Sequence, residues 1–330
     1  MGADTGFSNV VVVGLGLIGG SIVKALHGSV PVLAVEPDEA SAESARRDGV
    51  HVVATLDAGL DAVDARSLIV VAVPVPVVAS VFDALAARSI SALVTDVASV
   101  KAPIVTAARR AGLRFVGGHP MAGSEHSGYD ASSASLFSGA RWALALDDTH
   151  ALSDVVALSK WIIGLGAGVV PVEADDHDRA VALVSHLPHV FAAQLAASAE
   201  SGGEITIGLA AGSFRDGTRV ARSSPAFWTG ILDANAEAVA PLLRRTAAEL
   251  TAMAAALDAG DEAVVTDVFE RGSAARRHFD ERATTPLSVA LDGPDALAAL
   301  LDLGRRGGFV AGFDDDGDVP IAHVRIPNAR

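Results

Sequence analysis

Four consecutive valines, Val10 to Val13, run into Gly14-Leu15-Gly16-Leu17-Ile18-Gly19-Gly20-Ser21, and behind these come Ile22, Val23, Ala25 and Leu26 at helical spacing. No other stretch narrows the fold so far. A β-branched run predicts a strand, and glycines in the G-x-G-x-x-G spacing between a strand and a helix are the fingerprint of a dinucleotide-binding turn. Each glycine has its own steric task. Gly14 makes the tight turn, Gly16 lets a pyrophosphate approach the backbone, and Gly19 lets the helix lie on the strand. Around Leu15, Leu17 and Ile18 the helix N-terminus offers N–H donors and positive partial charge to the phosphates. A glycine-rich turn without a ligand has the same composition, so a second mark is needed.

Pro31-Val32-Leu33-Ala34-Val35-Glu36 supplies it: a second strand ending in an acid about 20 residues beyond the glycines. A carboxylate there accepts hydrogen bonds from ribose hydroxyls and repels a 2′-phosphate, so Glu36 selects NAD over NADP. Arg46 and Arg47 could swing toward such a phosphate, but they fall on the following helix, Glu39 to Asp48, and read more simply as its solvated face. The alternation goes on with strands at Leu68 to Val73 and Leu93 to Val97 and helices at Val77 to Arg88 and Pro103 to Ala111. Continuous apolar strands separated by helices predict a parallel sheet covered on both faces. Trp142 to Leu146 and Gly168 to Val172 read as further strands, with a helix over Leu152 to Gly164 between them.

Ligands of open sheets lie beyond the carboxyl ends of the strands. Val73-Pro74, Ser99-Val100-Lys101 and Gly118-His119-Pro120 all follow predicted strand ends, so all three are expected to line one crevice. His119 belongs to Gly117-Gly118-His119-Pro120-Met121-Ala122-Gly123-Ser124-Glu125, which sets one imidazole among small residues after the apolar run Leu113 to Val116. By itself that is a turn with a surface histidine. At a strand end of a dinucleotide sheet it is a candidate acid or base facing the nicotinamide.

From Asp175 the period changes to long alanine- and leucine-rich helices, which places a boundary near Val172 to Ala174. His186 and His189 lie three residues apart in Ser185-His186-Leu187-Pro188-His189 and share a helix face. Metal ligation, packing or capping, and substrate or cofactor contact all remain open for them, although no further ligand completes a zinc set in that helix and Pro188 is expected to kink it. Gly212 to Trp228 brings Arg215, Arg219 and Arg222 together with aromatics in an otherwise acidic chain. Guanidinium groups hold carboxylates in bidentate geometry, and Arg219 is the candidate anchor for an anionic small substrate.

An apolar face from Pro225 to Leu257, interrupted by Pro241, and a further helix over Asp261 to Arg282 predict a homodimer through this half. From Pro286 the pattern is strand, helix, strand, the acidic turn Asp314-Asp315-Asp316-Gly317-Asp318, and strand. That turn reads as a solvated hairpin, lacking the spaced ligands of a calcium loop. The expected organisation is α/β: a Rossmann-type parallel-sheet domain over 1–173, an all-α dimerisation domain over 174–284, and a small βαββ module over 285–330. A net charge of −15 argues against nucleic acid or an anionic membrane surface as partner. With no cysteine, a short polar start and apolar runs broken by glycines, neither a signal peptide nor a membrane span is expected, and a cytoplasmic location fits.

Taken in order, the glycine fingerprint, Asp96-Val97-Ala98-Ser99-Val100-Lys101, Gly118 to Glu125, Ser185 to His189, and Thr218-Arg219-Val220-Ala221 with Pro225 and Trp228 resemble the prephenate/arogenate dehydrogenases of tyrosine biosynthesis. The resemblance covers roughly residues 10 to 280. It implies NAD(P)-dependent oxidative decarboxylation with His119 as base, Ser99 as its partner and Arg219 as carboxylate anchor. It also implies that His186, His189, Glu125 and Trp228 line the substrate site; Ser124 is a further candidate for substrate binding, and no metal is expected. The tail is shorter than the regulatory domain of some members. A β-hydroxyacid dehydrogenase would share the architecture but needs a catalytic lysine, and the helices from Asp176 to Arg282 contain none. A nucleotide-sensing regulator of DNA would need a basic face, which the charge balance does not offer.

Overall fold

The computed structural model describes residues 6–124, 126–314 and 319–328. The first half alternates as β1 (Val10–Val13), α1 (Leu17–Leu26), β2 (Val32–Val35), α2 (Glu39–Arg47), β3 (His51–Val53), α3 (Leu56–Leu60), β4 (Leu68–Val71) and α4 (Val75–Ala87). It continues through β5 (Leu93–Asp96), α5 (Ala102–Arg110), β6 (Phe115–Pro120), β7 (Arg141–Ala145), α6 (Leu152–Gly164) and β8 (Gly168–Val172). β3 and α3 are too short and too polar at their edges to have stood out in the sequence. β1, β2, β3, β4, β5 and β6 are parallel, and apart from the edge strand β3 their side chains are largely buried on both faces because helices cover each side.

Two expectations are corrected here. The sheet is not parallel throughout, because β6 and β7 pair antiparallel, with Gly118 opposite Leu144 and His119 opposite Ala143. His119 therefore lies inside β6 and not in a turn after it. The strand extends past Val116 because Gly117 and Gly118 permit close neighbours; a Cβ on Gly118 would stand 2.7 Å from the Asp96 carbonyl and 2.8 Å from Trp142 Nε1.

The second half consists of α7 (Ala174–Val181), a π-helical segment Ala182–His186, α8 (Leu187–Ser201), α9 (Gly203–Gly208), α10 (Gly212–Thr218), a 3₁₀ turn Arg219–Arg222, α11 (Pro225–Ala234), α12 (Ala236–Ala259) and α13 (Glu262–Asp280). Pro188 does not break the first of these helices. The wider π turn ends directly before α8, whose first turn holds the proline, where a missing N–H costs least. Pro241 likewise sits inside α12, and the apolar face is interrupted at Asn235 instead. Asn235 leaves helical geometry with its amide committed elsewhere, donating to the Asp178 carbonyl at 2.9 Å and to His186 Nδ1 at 3.1 Å.

The run Ala174–Ser201 is continuous over 28 residues with a mean hydropathy of 1.4, long and apolar enough by length and composition to cross a membrane. The sequence did not suggest this, since His177, Asp178, Ser185 and His186 interrupt its apolar runs. His177, Asp178 and His186 are buried against the rest of the chain, where a hydrocarbon layer would leave them costly.

The C-terminal module, β9 (Thr284–Ala290), α14 (Ala296–Arg305), β10 (Phe309–Asp314) and β11 (Ile321–Pro327), has the expected βαββ order but joins the first sheet. β10 pairs with β8 through Val310 and Val169, giving one 11-stranded sheet ordered β3-β2-β1-β4-β5-β6-β7-β8-β10-β11-β9. Leu291, Leu300, Val310 and Val324 share one apolar core with Val10, Leu68, Trp142 and Trp161. Of the predicted acidic turn, Asp315, Asp316, Gly317 and Asp318 lie outside the described residues.

Candidate active site

The glycine turn has the steric form that a dinucleotide needs. Gly14 has φ +98°, and a Cβ there would meet the Ala72 carbonyl at 2.6 Å and Val73 at 3.2 Å. A Cβ on Gly19 would lie 2.0 Å from the Gly14 carbonyl, so α1 can rest on the turn only without one. Around Gly16 nothing lies within 4 Å of that position, which leaves the backbone open to a phosphate at the N-terminus of α1, where Leu17 and Ile18 begin the helix. Glu36 faces this turn: Oε2 accepts from Leu15 N at 2.7 Å and Oε1 from Asp38 N at 2.9 Å. Arg46 is paired with Glu39 and Arg47 donates to Ser44, so neither reaches toward the turn. Pro74 precedes α4, whose Pro76 packs under Gly230 of α11.

His119 is 7% exposed at the carboxyl end of β6. Its Nδ1 lies 2.9 Å from Nε2 of His177, and His177 Nδ1 lies 2.7 Å from Oδ1 of Asp178. Asp178 in turn accepts from Lys101 N at 2.7 Å and Ala102 N at 2.8 Å, capping α5 from the first helix of the other half. Lys101 is wholly buried; its ammonium pairs with Asp96 and donates to the Gly118 carbonyl at 2.6 Å. It therefore ties β6 to β5 and does not line the crevice as expected from the sequence. Burial holds the His119 imidazole well below its ordinary value, reinforced by His177, Lys101 and His186. Burial also lowers His177, against the pull of Asp178.

Across from this strand end, His186 is fully buried and burial lowers its pKa to about 4. Trp228 stands between His186, with ring centroids 5.9 Å apart, and His189, 3.9 Å apart and tilted by 30°. His189 Nδ1 donates to the Ser185 carbonyl at 2.8 Å, and its pKa falls through burial and then the nearby Arg219 charge. Among the described residues, His186 Nε2 and Trp228 Nε1 are buried without a hydrogen-bond partner. Two polar atoms in that condition, beside a guanidinium, fit a pocket whose acceptor is a ligand.

The structure thus brings together His119, His186, His189, Trp228 and Arg219. It does not join Ser99 to His119: Ser99 is half-buried on the turn after β5, and no hydrogen bond links the two. Ser124 is exposed and satisfied by the backbone of His126, and Glu125 lies outside the described residues. His177, Asp178 and Asn235 were not singled out from the sequence. The run Asp175-Asp176-His177-Asp178, an imidazole flanked by carboxylates, was the available signal.

Comparison with known proteins agrees with this geometry. Residues 20–170 match the family model for the prephenate dehydrogenase nucleotide-binding domain, and residues 173–271 match that for the prephenate dehydrogenase dimerization domain. The chain is 32% identical over 284 residues to a cyclohexadienyl dehydrogenase of Zymomonas mobilis, covering 82% of this chain and 96% of that one. It is 29% identical over 283 residues to a prephenate dehydrogenase of Lactococcus lactis, covering 82% and 77%. A solved Corynebacterium glutamicum structure assigned to prephenate dehydrogenase superposes with a TM-score of 0.81 at 32% identity, over 91% of this chain and 97% of that one. With five motifs in order, both domain models and this shared fold, the chain belongs to the prephenate/arogenate dehydrogenase family.

Proposed function

We propose that the chain is an NAD-dependent prephenate dehydrogenase that converts prephenate to 4-hydroxyphenylpyruvate and CO₂. The observation that carries this is a buried imidazole, His119, on the sheet edge that also carries the glycine turn, with Nε2 unbonded among the described residues. When bound, NAD⁺ supplies the acceptor for the hydride that leaves C4 of the substrate. Gly14, Leu15, Gly16, Leu17, Ile18 and Gly19 hold its pyrophosphate, Glu36 its adenosine ribose, and Val73 and Pro74 border the same crevice. His119 Nε2 takes the C4 hydroxyl proton, while loss of the ring carboxylate as CO₂ completes aromatisation. Ser99, on the same rim, contacts that hydroxyl and not the imidazole.

Arg219 orients a substrate carboxylate, and His186, His189 and Trp228 close the pocket against water. The ring carboxylate has to leave, so binding energy is better placed on the rest of the molecule. The exposed apolar face of the helical half meets a second copy of the chain in place of a membrane. Domains at 1–173, 174–284 and 285–330 describe the sequence divisions, with the last docked onto the first. Likeness to a solved Synechocystis arogenate dehydrogenase, at 26% identity with a TM-score of 0.69, supports arogenate as the alternative substrate, and turnover measured with each compound decides between them.

The test is His119→Asn. It is expected to fold and bind NAD⁺ as the parent does while turnover falls by about 10²–10⁴-fold, the range of a positioned general base. Near-parental turnover rejects the assignment.

A further inference from the structure

The side chains behind His119 decide which of its nitrogens can act as a base. A carboxylate only accepts hydrogen bonds, so Asp178 Oδ1, 2.7 Å from His177 Nδ1, requires the proton of His177 to sit on Nδ1. The opposite nitrogen of a neutral His177 is then a lone pair. It faces His119 Nδ1 at 2.9 Å, and that contact is a hydrogen bond only when His119 Nδ1 carries the hydrogen. His119 Nε2 then carries the lone pair. The opposite assignment demands a cationic His177, which would donate from Nε2 and leave His119 with a hydrogen on the nitrogen that has to accept one.

We propose that His177 and Asp178 are positioning residues that hold His119 in its Nδ1–H tautomer, so that Nε2 is the base, and that they do so only while the two halves of the chain are docked. The second part follows from the other bonds of Asp178. Its carboxylate caps α5 through Lys101 N and Ala102 N, and its own carbonyl accepts from Asn235. Pulling α7 from α5 carries His177 and Asp178 away together, which removes the acceptor of His119 Nδ1 and with it the ordering of that ring. The charged and titratable groups facing this chain of bonds are Asp96 and Lys101 from the β5–α5 turn, Asp178 from α7 and His186 from the π segment. Burial and Lys101 favour neutral His177, while Asp178 and Asp96 oppose it. As pH falls far enough to protonate His177, the relay reverses and activity is lost without unfolding.

The inference rests on His119 being the base, and the experiment separates the two. In the full chain, His177→Gln keeps an amide oxygen that can accept from His119 Nδ1, whereas His177→Leu fills similar space without an acceptor. The leucine variant is expected to lose about 10²-fold in kcat, as removal of a correctly held base would. Its prephenate KM and NAD⁺ affinity stay near parental, and the glutamine variant recovers most of the lost kcat with a flattened acid limb. Equal kcat in the two variants overturns the proposal. Nitrogen-15 correlation spectra of the parent's His119 ring provide the second measurement: a hydrogen on Nδ1 supports the proposal and a hydrogen on Nε2 overturns it. That reading holds even if His119→Asn were to leave turnover intact, which would reject the base assignment alone.

Discussion

His119 could be chosen from the sequence because its neighbours are small and it follows an apolar run, but what gives it chemistry could not. His177 is 58 positions away, and only the approach of α7 to the end of β6 brings the two rings to 2.9 Å. The glycines were legible for the opposite reason: their requirement is steric and local. Gly14 turns the chain at φ +98° and a Cβ at Gly19 would collide with the Gly14 carbonyl, so the pattern is written within a few residues. The buried histidines also fix how stability depends on pH. His186 has a pKa of about 4 in the folded chain against an ordinary 6.5, and His119 and His177 are shifted the same way. Above about 6.5 both folded and unfolded chains hold these rings neutral and the full stability is present. As pH falls below that value the unfolded chain binds protons that the folded chain refuses, so stability drains until the folded values are passed. Between about pH 7 and pH 5 the loss should approach, at its steepest, 1.4 kcal/mol per pH unit for each proton taken up. Urea midpoints across this range measure it, and His186→Gln, which keeps an acceptor for Asn235 but does not titrate, should make the slope shallower. A parent whose midpoint is flat over that range has histidines that are not buried neutral.

At the scale of elements, helix and strand positions in the first half followed from period and β-branching, whereas pairing did not. The antiparallel β6–β7 pair and the docking of the C-terminal module depend on contacts between segments that show no mark of one another in the sequence. β10 meets β8 at Val310 and Val169, Phe309 packs where a side chain on Gly168 would otherwise stand, and the Arg141 guanidinium lies 3.5 Å above the Phe309 ring. α14 approaches β8 so closely that a Cβ on Gly304 would fall 1.7 Å from the Pro171 carbonyl. Gly304→Ala sets two effects against each other. Alanine inside a helix gains about 0.8–1.0 kcal/mol over glycine, while forcing a methyl group into a packed contact costs about 1–3 kcal/mol. The obstacle is backbone and not the end of a flexible side chain, so the cost should win. The variant is expected to unfold at lower urea concentration and to show faster amide exchange in β10 and β11. If it proves more stable than the parent, α14 does not sit against β8 as described.

The whole molecule is unevenly supplied with core. The sheet buries apolar residues on both faces, from Val10 and Ile69 to Val324, but among the described residues the buried cluster confined to the helical half is Ala182, Val239 and Leu242, with Leu187, Leu232, Ala238 and Leu243 packed beside it. The same half exposes Phe191, Leu195, Ile205, Leu209, Leu250, Leu257 and Phe269. Apolar surface gathered in this way marks an interface, and it accounts for how Ala174–Ser201 can be so apolar while carrying the polar residues of the site. A second copy of the chain is the occupant proposed above, as the match to a dimerization domain over residues 173–271 supports. Ile205 and Leu209, at 76% and 79% exposure, touch little of their own chain, so changing them tests association without disturbing the fold. Burying a side chain of this size contributes about 1.5–3 kcal/mol, and two per subunit contribute about 3–6 kcal/mol. Ile205→Glu combined with Leu209→Glu should therefore raise the dimer dissociation constant by at least about 10²-fold, with far-ultraviolet circular dichroism unchanged. Sedimentation equilibrium over a concentration series reads this directly. Parental association in the doubly substituted chain would place the interface on another face of the helices.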